Sequence, residues 1–449
     1  MRRSLLATFC VAFIFWTSTS SADCIDVVRD FKAVCDGAHD DSGELQAAAI
    51  AAETIVGNNS VACVSVPPGR TCAYSRSLVL LNFEQKFGPG SLSLFSSGGG
   101  NTMYGGGILL YTGGGNAVEI DPSGVGQGLA FNMYGLTLEC QPQCGALINI
   151  GKTFGPIMIH DNYLEGLHNN ISGLGSGGAA DGIVCNNCAI QVQIKDNHIF
   201  NMSHSAVTVL RGTNITVSGN QLFDAPYGVY LAGAGPVSIN QNYLEQIEDG
   251  VKLSNDRYWT YNLIDIYDNE FNLEKLPPFF GGANTGDQRC LLIANDASTL
   301  SMGAKVHFHD NKCDESDGYV FGNAGLAPYG VELRLTNAGF FTVDLDVENN
   351  IFAGMTTSAI YSNSSKANVS YGKNYASSNY KPDGYGTPIP EFLGAQSHSL
   401  TGAGHSFVRY PPVEQRSATR VDDDTESAGD ATAPSTRCKD QNAHCERPQ

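Results

Sequence analysis

Val237–Leu253 reads VSINQNYLEQIEDGVKL. Val237 and Ile239 alternate with polar residues and lead to Asn242. A second short apolar segment, Tyr243-Leu244, follows, then a polar turn, then a third strand, Asp249-Gly250-Val251-Lys252-Leu253. Three short strands and three turns in about 22 residues cannot bury their apolar faces alone; they need copies stacked above and below.

The copies are present. IMIHDNYL is built around Asn162, VQIKDNHI around Asn197, ITVSGNQL around Asn220, IDIYDNEF around Asn269, VHFHDNKC around Asn311 and LDVENNIF around Asn350. In each, apolar residues stand five and three places before the asparagine. Asn197, Asn220 and Asn242 are spaced by 23 and 22 residues, and the longer gaps elsewhere predict loops. The pattern predicts an all-β chain, a single-stranded right-handed parallel β-helix (β-solenoid). Each coil rises by about 4.8 Å, the spacing of neighbouring strands. The asparagines are expected in one column at a tight turn, where Asn tolerates a left-handed backbone and stacked amides form a ladder.

Arg2 and Arg3 precede an apolar run, Leu5–Trp16, and then small residues up to Ala22. This reads as a secretory signal peptide over residues 1–22, because the run is too short to span a bilayer. No later stretch is apolar enough to cross a membrane, so the mature chain is expected to be secreted. Removing Cys10 from the 13 cysteines leaves 12, an even number that suits an oxidising compartment. Cys185 and Cys188 read as a local disulfide or packed thiols rather than a zinc pair, since no second pair has matching metal spacing. Asn58, Asn170, Asn201, Asn214, Asn363 and Asn368 begin glycosylation sequons. The net charge of −19 argues against nucleic acid and anionic membranes as partners. A polyanionic substrate would need local Lys or Arg, or bridging cations.

Asp30–Ala52 reads DFKAVCDGAHDDSGELQAAAIAA. Asp41 and Glu44 have the spacing of a capping box, and Leu45, Ala48, Ala49 and Ala52 fall at helical spacing, so a helix is predicted over about 42–55. Asp30-Phe31, Asp36-Gly37, Asp40-Asp41 and the Ala47–Ile50 segment resemble the opening of the pectin-lyase-like β-helix proteins, in particular the rhamnogalacturonase/epimerase-like pectate lyase group. Lys32 and Cys35 stand where that group usually has glycine. The resemblance implies that this segment caps the end of the β-helix, and that its acids are structural. Residues 23–395 are thus expected to form the β-helix domain, and residues 396–449, polar and acidic with Asp422-Asp423-Asp424, a disordered tail. Cys438 and Cys445 would pin that tail near its end.

The closing strands share the form x-Gly-apolar-x-apolar. The residue before the glycine position gives a predicted row of Asp181, Ser205, Tyr227, Asp249, Arg289, Asp317 and Ser358. The outward row on the strand itself is Val184, Thr208, Tyr230, Lys252, Leu292, Val320 and Tyr361. In polygalacturonases, which share this fold, the first row is catalytic. Their Asp-Asp, Gly-His-Gly and Arg-x-Lys motifs do not appear here in register, so that mechanism is not carried over. What remains is a polar cluster of His204, Asp224, Tyr227, Tyr230, Glu248, Asp249 and Lys252, of a kind that a β-helix surface also carries without function. Insertions at 169–180 and 273–288 are expected to wall a groove beside it. Arg257, Tyr258 and Trp259 follow directly, with Trp259 suited to sugar stacking.

These residues predict an enzyme acting on a polysaccharide. The catalytic candidates are Asp249, Glu248, Asp317, Asp287, His204, Tyr227 and Lys252. The substrate-binding candidates are Tyr230, Arg257, Tyr258, Trp259 and Arg289. Hydrolysis needs two carboxylates, which lie about 5 Å apart when one coil separates them and about 10 Å when two do. Asp249 with Asp287, or with Asp317, would serve. Elimination instead needs a base such as Lys252 or Tyr227, His204 as acid, and Ca²⁺ held by Asp or Glu. The charge tilts the reading toward hydrolysis, and a non-catalytic glycan-binding β-helix is the third reading. Asp249 is the expected centre, its side chain pointing outward so that Asp249→Asn leaves folding intact. His307 and His309 face one side of a strand, but no third ligand is evident in register, so no metal site is assigned. His160, Lys195 and His309 share a row expected to be solvated.

Overall fold

A computed structural model describes residues 24–57, 60–82, 90–98, 105–124, 128–141, 143–166, 178–189, 191–254, 261–273, 288–294, 303–314, 327–335, 342–365, 367–378 and 387–395. The signal segment, the tail with Cys438 and Cys445, Asn58 and Asn170 lie outside the described residues, as does most of the two insertions.

The described chain is a single-stranded right-handed parallel β-helix with one helix at its N-terminal end. One sheet of 12 strands carries the strand that precedes each asparagine, including Val192–Lys195, Ile215–Ser218, Val237–Asn240, Tyr261–Tyr267, Gly303–His309 and Thr342–Glu348. A second, curled sheet carries the short strand after each asparagine and the closing strands. Register follows the repeats: Val192 pairs with Ile215, Ile215 with Val237, Val237 with Ile264, and Ile264 with Val306. Those inward residues are fully or nearly buried and stack into one continuous core along the axis.

The asparagine column is present from Asn162 to Asn350, each side chain at most 2% exposed. The backbone N–H of each donates to Oδ1 of the asparagine one coil on, at 2.9–3.1 Å. Its Nδ2 donates to that same Oδ1. The column extends one rung beyond the seven expected, since Asn350 donates to Oδ1 of Asn374 at 3.0 Å. The left-handed backbone falls not on the asparagines but on the residue before each: Asp161, Asp196, Gly219, Gln241, Asp268, Asp310, Asn349 and Lys373 all have φ between 53° and 67°. The asparagine amide then ties the turn to the coil before it, as Asn242 Nδ2 does by donating to the Val217 carbonyl at 2.9 Å.

Helix α1 spans Ser42–Val56 and buries Leu45, Ala48, Ala49, Ala52 and Val56. Its capping differs from the expected box. Asp41 makes no side-chain cap; its carboxylate instead accepts from the Val34 and Cys35 N–H groups at 2.7 and 3.0 Å. Asp40 accepts from the Ser42 N–H and from the Ser75 hydroxyl. These acids are thus fully used in holding the cap. Lys32 and Cys35 both adopt positive φ, 64° and 48°, a backbone region that costs a residue with a side chain more than it costs glycine. Disulfides join Cys24 to Cys63, Cys35 to Cys72, Cys140 to Cys144, Cys185 to Cys188 and Cys290 to Cys313.

Candidate functional site

The closing strands bring Asp181, Ser205, Tyr227, Asp249 and Arg289 into one row, each paired with the next. The row then departs from expectation. Leu291 pairs with Val331, and Val331 with Ile360, so the next closing strand is Tyr329–Arg334 and Tyr329 precedes its glycine. Tyr329-Gly330-Val331-Glu332-Leu333 fits the template as well as the 317 segment does. Asp317 lies outside the described residues, as do Asp287, Arg257, Tyr258 and Trp259. The glycine of the template has a steric reason. A Cβ on Gly250 would lie 2.4 Å from Phe271 Cδ1 and 2.8 Å from the Cys290 carbonyl oxygen.

Two groups of reactive side chains occupy this face. The first is built on four consecutive coils. Asp181 Oδ1 accepts from Thr208 Oγ1 at 2.6 Å and faces His204 Nδ1 at 2.7 Å. A carboxylate only accepts, so Nδ1 carries the proton and Nε2 is left as the basic nitrogen. The His204 ring meets Tyr227 and Tyr230 edge-on, with centroids 5.3 and 5.2 Å away. Lys252 Nζ donates to the Tyr227 hydroxyl at 3.2 Å and lies 4.6 Å from the centre of that ring. The His204 side chain is 42% exposed and Asp181 18%, so the imidazole is accessible while its orienting carboxylate is largely covered. Thr208 and the pairing of Asp181 with His204 were not assigned from sequence. The signal was there: the two lie one coil apart, offset by one position.

The second group is buried. Asp249 is 3% exposed, not open to solvent as expected; Arg289 from the next coil binds its Oδ1 at 3.2 Å through Nη1. Arg289 also binds Glu332 through Nε, and Arg334 binds the other oxygen of Glu332 at 2.7 Å. Arg289 is therefore a structural ion-pair partner rather than an open substrate ligand. Burial pushes the Asp249 carboxyl up to about 7, against the attraction of Arg289 and with the help of the neighbouring Glu248 charge. Asp224, with its backbone at φ 51°, is raised to about 6 by burial and by Glu245. Glu248 is half-buried beside Asp249. Among the described residues, no group of three metal-capable side chains forms on this face; the groups that do form lie elsewhere.

A family model described as "Periplasmic copper-binding protein (NosD)" matches residues 132–276. No curated protein sequence matches the chain. Among solved structures, the catalytic unit of the thermostable GH87 α-1,3-glucanase from Streptomyces thermodiastaticus strain HF3-3 is similar, with a TM-score of 0.53 at 14% identity over 84% of this chain and 69% of that one. The mannuronan C-5 epimerase AlgE6 A-module of Azotobacter vinelandii aligns with a TM-score of 0.46 at 13% identity, over 84% of this chain and 100% of that one. DFA-IIIase from Arthrobacter chlorophenolicus A6 without its lid aligns with a TM-score of 0.47 at 14% identity, over 85% and 100%. The likeness to the glucanase unit shows a shared fold. A specific pectate-lyase relationship is not among these likenesses.

Proposed function

We propose that the protein is an exported carbohydrate-active enzyme that cleaves an acidic polysaccharide by elimination. The observation that supports this most is the pairing of Asp181–His204 with Tyr227–Lys252 on adjacent coils. His204 Nε2 takes the proton on the carbon beside a uronate carboxylate. The electron pair left on that carbon forms a double bond to the next carbon, the bond from that next carbon to the glycosidic oxygen breaks with its pair going to the oxygen, and the Tyr227 hydroxyl supplies the proton that oxygen takes. Lys252 gives the local positive charge that a polyanion needs on a chain of net charge −19. Hydrolysis by a carboxylate pair is less well supported, because Asp249 is enclosed by Arg289. The rings of Tyr227, Tyr230 and His204 are also a sugar-stacking surface, which keeps a non-catalytic glycan-binding reading open to the same test. Export rests on the Arg2–Ala22 segment and agrees with the five disulfides; N-terminal sequencing of protein recovered from culture medium checks it.

The test is a panel of acidic and neutral polysaccharides, run with and without Ca²⁺, scored separately for unsaturated-uronate absorbance and for reducing ends. Absorbance is expected, and His204→Gln should lower turnover by about 10²-fold or more. Reducing ends without absorbance would replace elimination by hydrolysis, and binding without product would make the protein a glycan binder.

A further inference from the structure

On the first sheet, away from the closing strands, the register stacks two rows of polar side chains over three coils. Asp265 pairs with His307 and Tyr267 with His309; His307 in turn pairs with Asp346 and His309 with Glu348. The third partner for the two histidines is therefore supplied by the coil before, through a 42-residue gap between Asn269 and Asn311 that hid the alignment in the sequence. Asp265 Oδ1 lies 3.3 Å from His307 Nδ1 and 3.2 Å from His309 Nε2. One ligand atom from each of the three residues lies within 4.8 Å of the other two. Ligands about 2.0–2.1 Å from a tetrahedral ion are separated by about 3.3 Å, so both measured edges have the length such an ion requires.

The nitrogens pointing the other way are also arranged for ligation. His309 Nδ1 is held at 2.6 Å by Asp310, and the ring stacks on Tyr267 with centroids 5.3 Å apart. His307 Nε2 is buried and makes no hydrogen bond, yet Glu348 and Asp346 lie 3.6 and 3.8 Å from it. A metal-bound histidine places its proton on the distal nitrogen and donates it to a carboxylate, and both histidines have one waiting there. The side chains concerned are part-exposed, so an ion can enter from solvent.

We infer that Asp265, His307 and His309 bind one divalent transition-metal ion, with a fourth position open to water. Two imidazoles and one carboxylate suit Zn²⁺, Cu²⁺ or Ni²⁺; Ca²⁺ and Mg²⁺ prefer all-oxygen shells. Asp310, Glu348 and Asp346 are positioning residues that orient the two rings. This site does not depend on the polysaccharide reading.

The experiment uses the full mature chain with any affinity tag removed, stripped with chelator and re-equilibrated with Zn²⁺. One equivalent of zinc should survive gel filtration, measured by elemental analysis. His307→Gln and His309→Gln should each weaken binding at least about 10-fold, and Asp310→Asn by about 10-fold, the usual scale for an outer-shell partner. His160→Gln, which sits in the same outward row but, among the described residues, has only Asp161 as an acid in contact with its ring, should change nothing. Cu²⁺ bound to the wild type should show hyperfine coupling from two nitrogens in its paramagnetic resonance spectrum. Equal zinc content in the wild type and in a folded His307→Gln/His309→Gln double variant would overturn the inference. So would a wild-type copper spectrum without nitrogen coupling, which keeps the test decisive if the variants do not fold.

Discussion

Asn242→Asp tests the ladder with an almost isosteric change. The oxygen that remains keeps accepting from the Asn220 N–H and Nδ2 at 3.0 and 2.9 Å. The other position changes from a donor to an acceptor. It lies 2.9 Å from the Val217 carbonyl and 2.9 Å from Asn269 Oδ1, both acceptors. Asn242 is 2% exposed, so water does not relieve the conflict. Ionised, the new carboxylate loses two buried hydrogen bonds and brings a desolvated charge, a cost of about 3–5 kcal/mol. Protonated, it donates to one of the two acceptors, and the cost falls to about 1–2 kcal/mol. The difference, about 2–3 kcal/mol, corresponds to a folded-state pKa raised by about two units. An acid with a raised native pKa makes the native state bind more protons than the unfolded one, so stability is lost as pH rises through the interval between the two values, here about 4 to 6. Guanidinium unfolding followed by circular dichroism at pH 4 and pH 7.5 should show a small deficit against wild type at the lower pH and a large one at the higher. Wild-type-like unfolding at pH 7.5 would refute the ladder's energetic role, and a deficit independent of pH would refute the account of its origin.

Asp249→Asn should act mainly on stability. The wild-type carboxyl is raised from 3.8 to about 7, so it makes the protein less stable as pH rises across that window; stability of the variant minus that of wild type should therefore increase from pH 4.5 to pH 7.5, and a flat difference in denaturant midpoints would show that Asp249 titrates normally. Gly250→Ala drives a methyl into Phe271 and the Cys290 carbonyl and should cost about 1–3 kcal/mol of unfolding free energy, whereas an unchanged melting curve would mean that the closing-strand glycine is not sterically required.

The fold was legible because it is written locally and repeated. Apolar residues five and three places before each asparagine set which side chains point inward, and every repeat restates the same register; one instance such as Val237–Leu253 already implies the stack. The exceptions have local causes. Asn374 follows Lys373 rather than an Asp, Asn, Gln or Gly, so the turn chemistry did not announce it. Yet Lys373 adopts the same left-handed backbone, because the Asn350 amide holds the turn from the coil before. Functional geometry is less legible because it depends on which coil follows which. Tyr329 and not Asp317 follows Arg289 in the row, yet both precede a glycine and an apolar-x-apolar run, so the pattern alone does not choose between them.

Depth is the other quantity that a row of residues does not carry. Asp249 was placed in the correct row, but its burial comes from Arg289 reaching across from the neighbouring strand, and Arg289 is drawn there by Glu332 one coil further on. A sequence read row by row gives the neighbours of a side chain but not which of them closes over it. The same reasoning runs in the opposite direction for His204: Asp181 and Thr208 hold the ring from one side only, and the flanking tyrosines meet it edge-on, so it stays accessible. Of the two acid–base clusters on this face, the one satisfied by ion pairs on adjacent coils has the character of structure. The one left with an exposed, oriented imidazole is the one to which the proposed proton transfer is assigned.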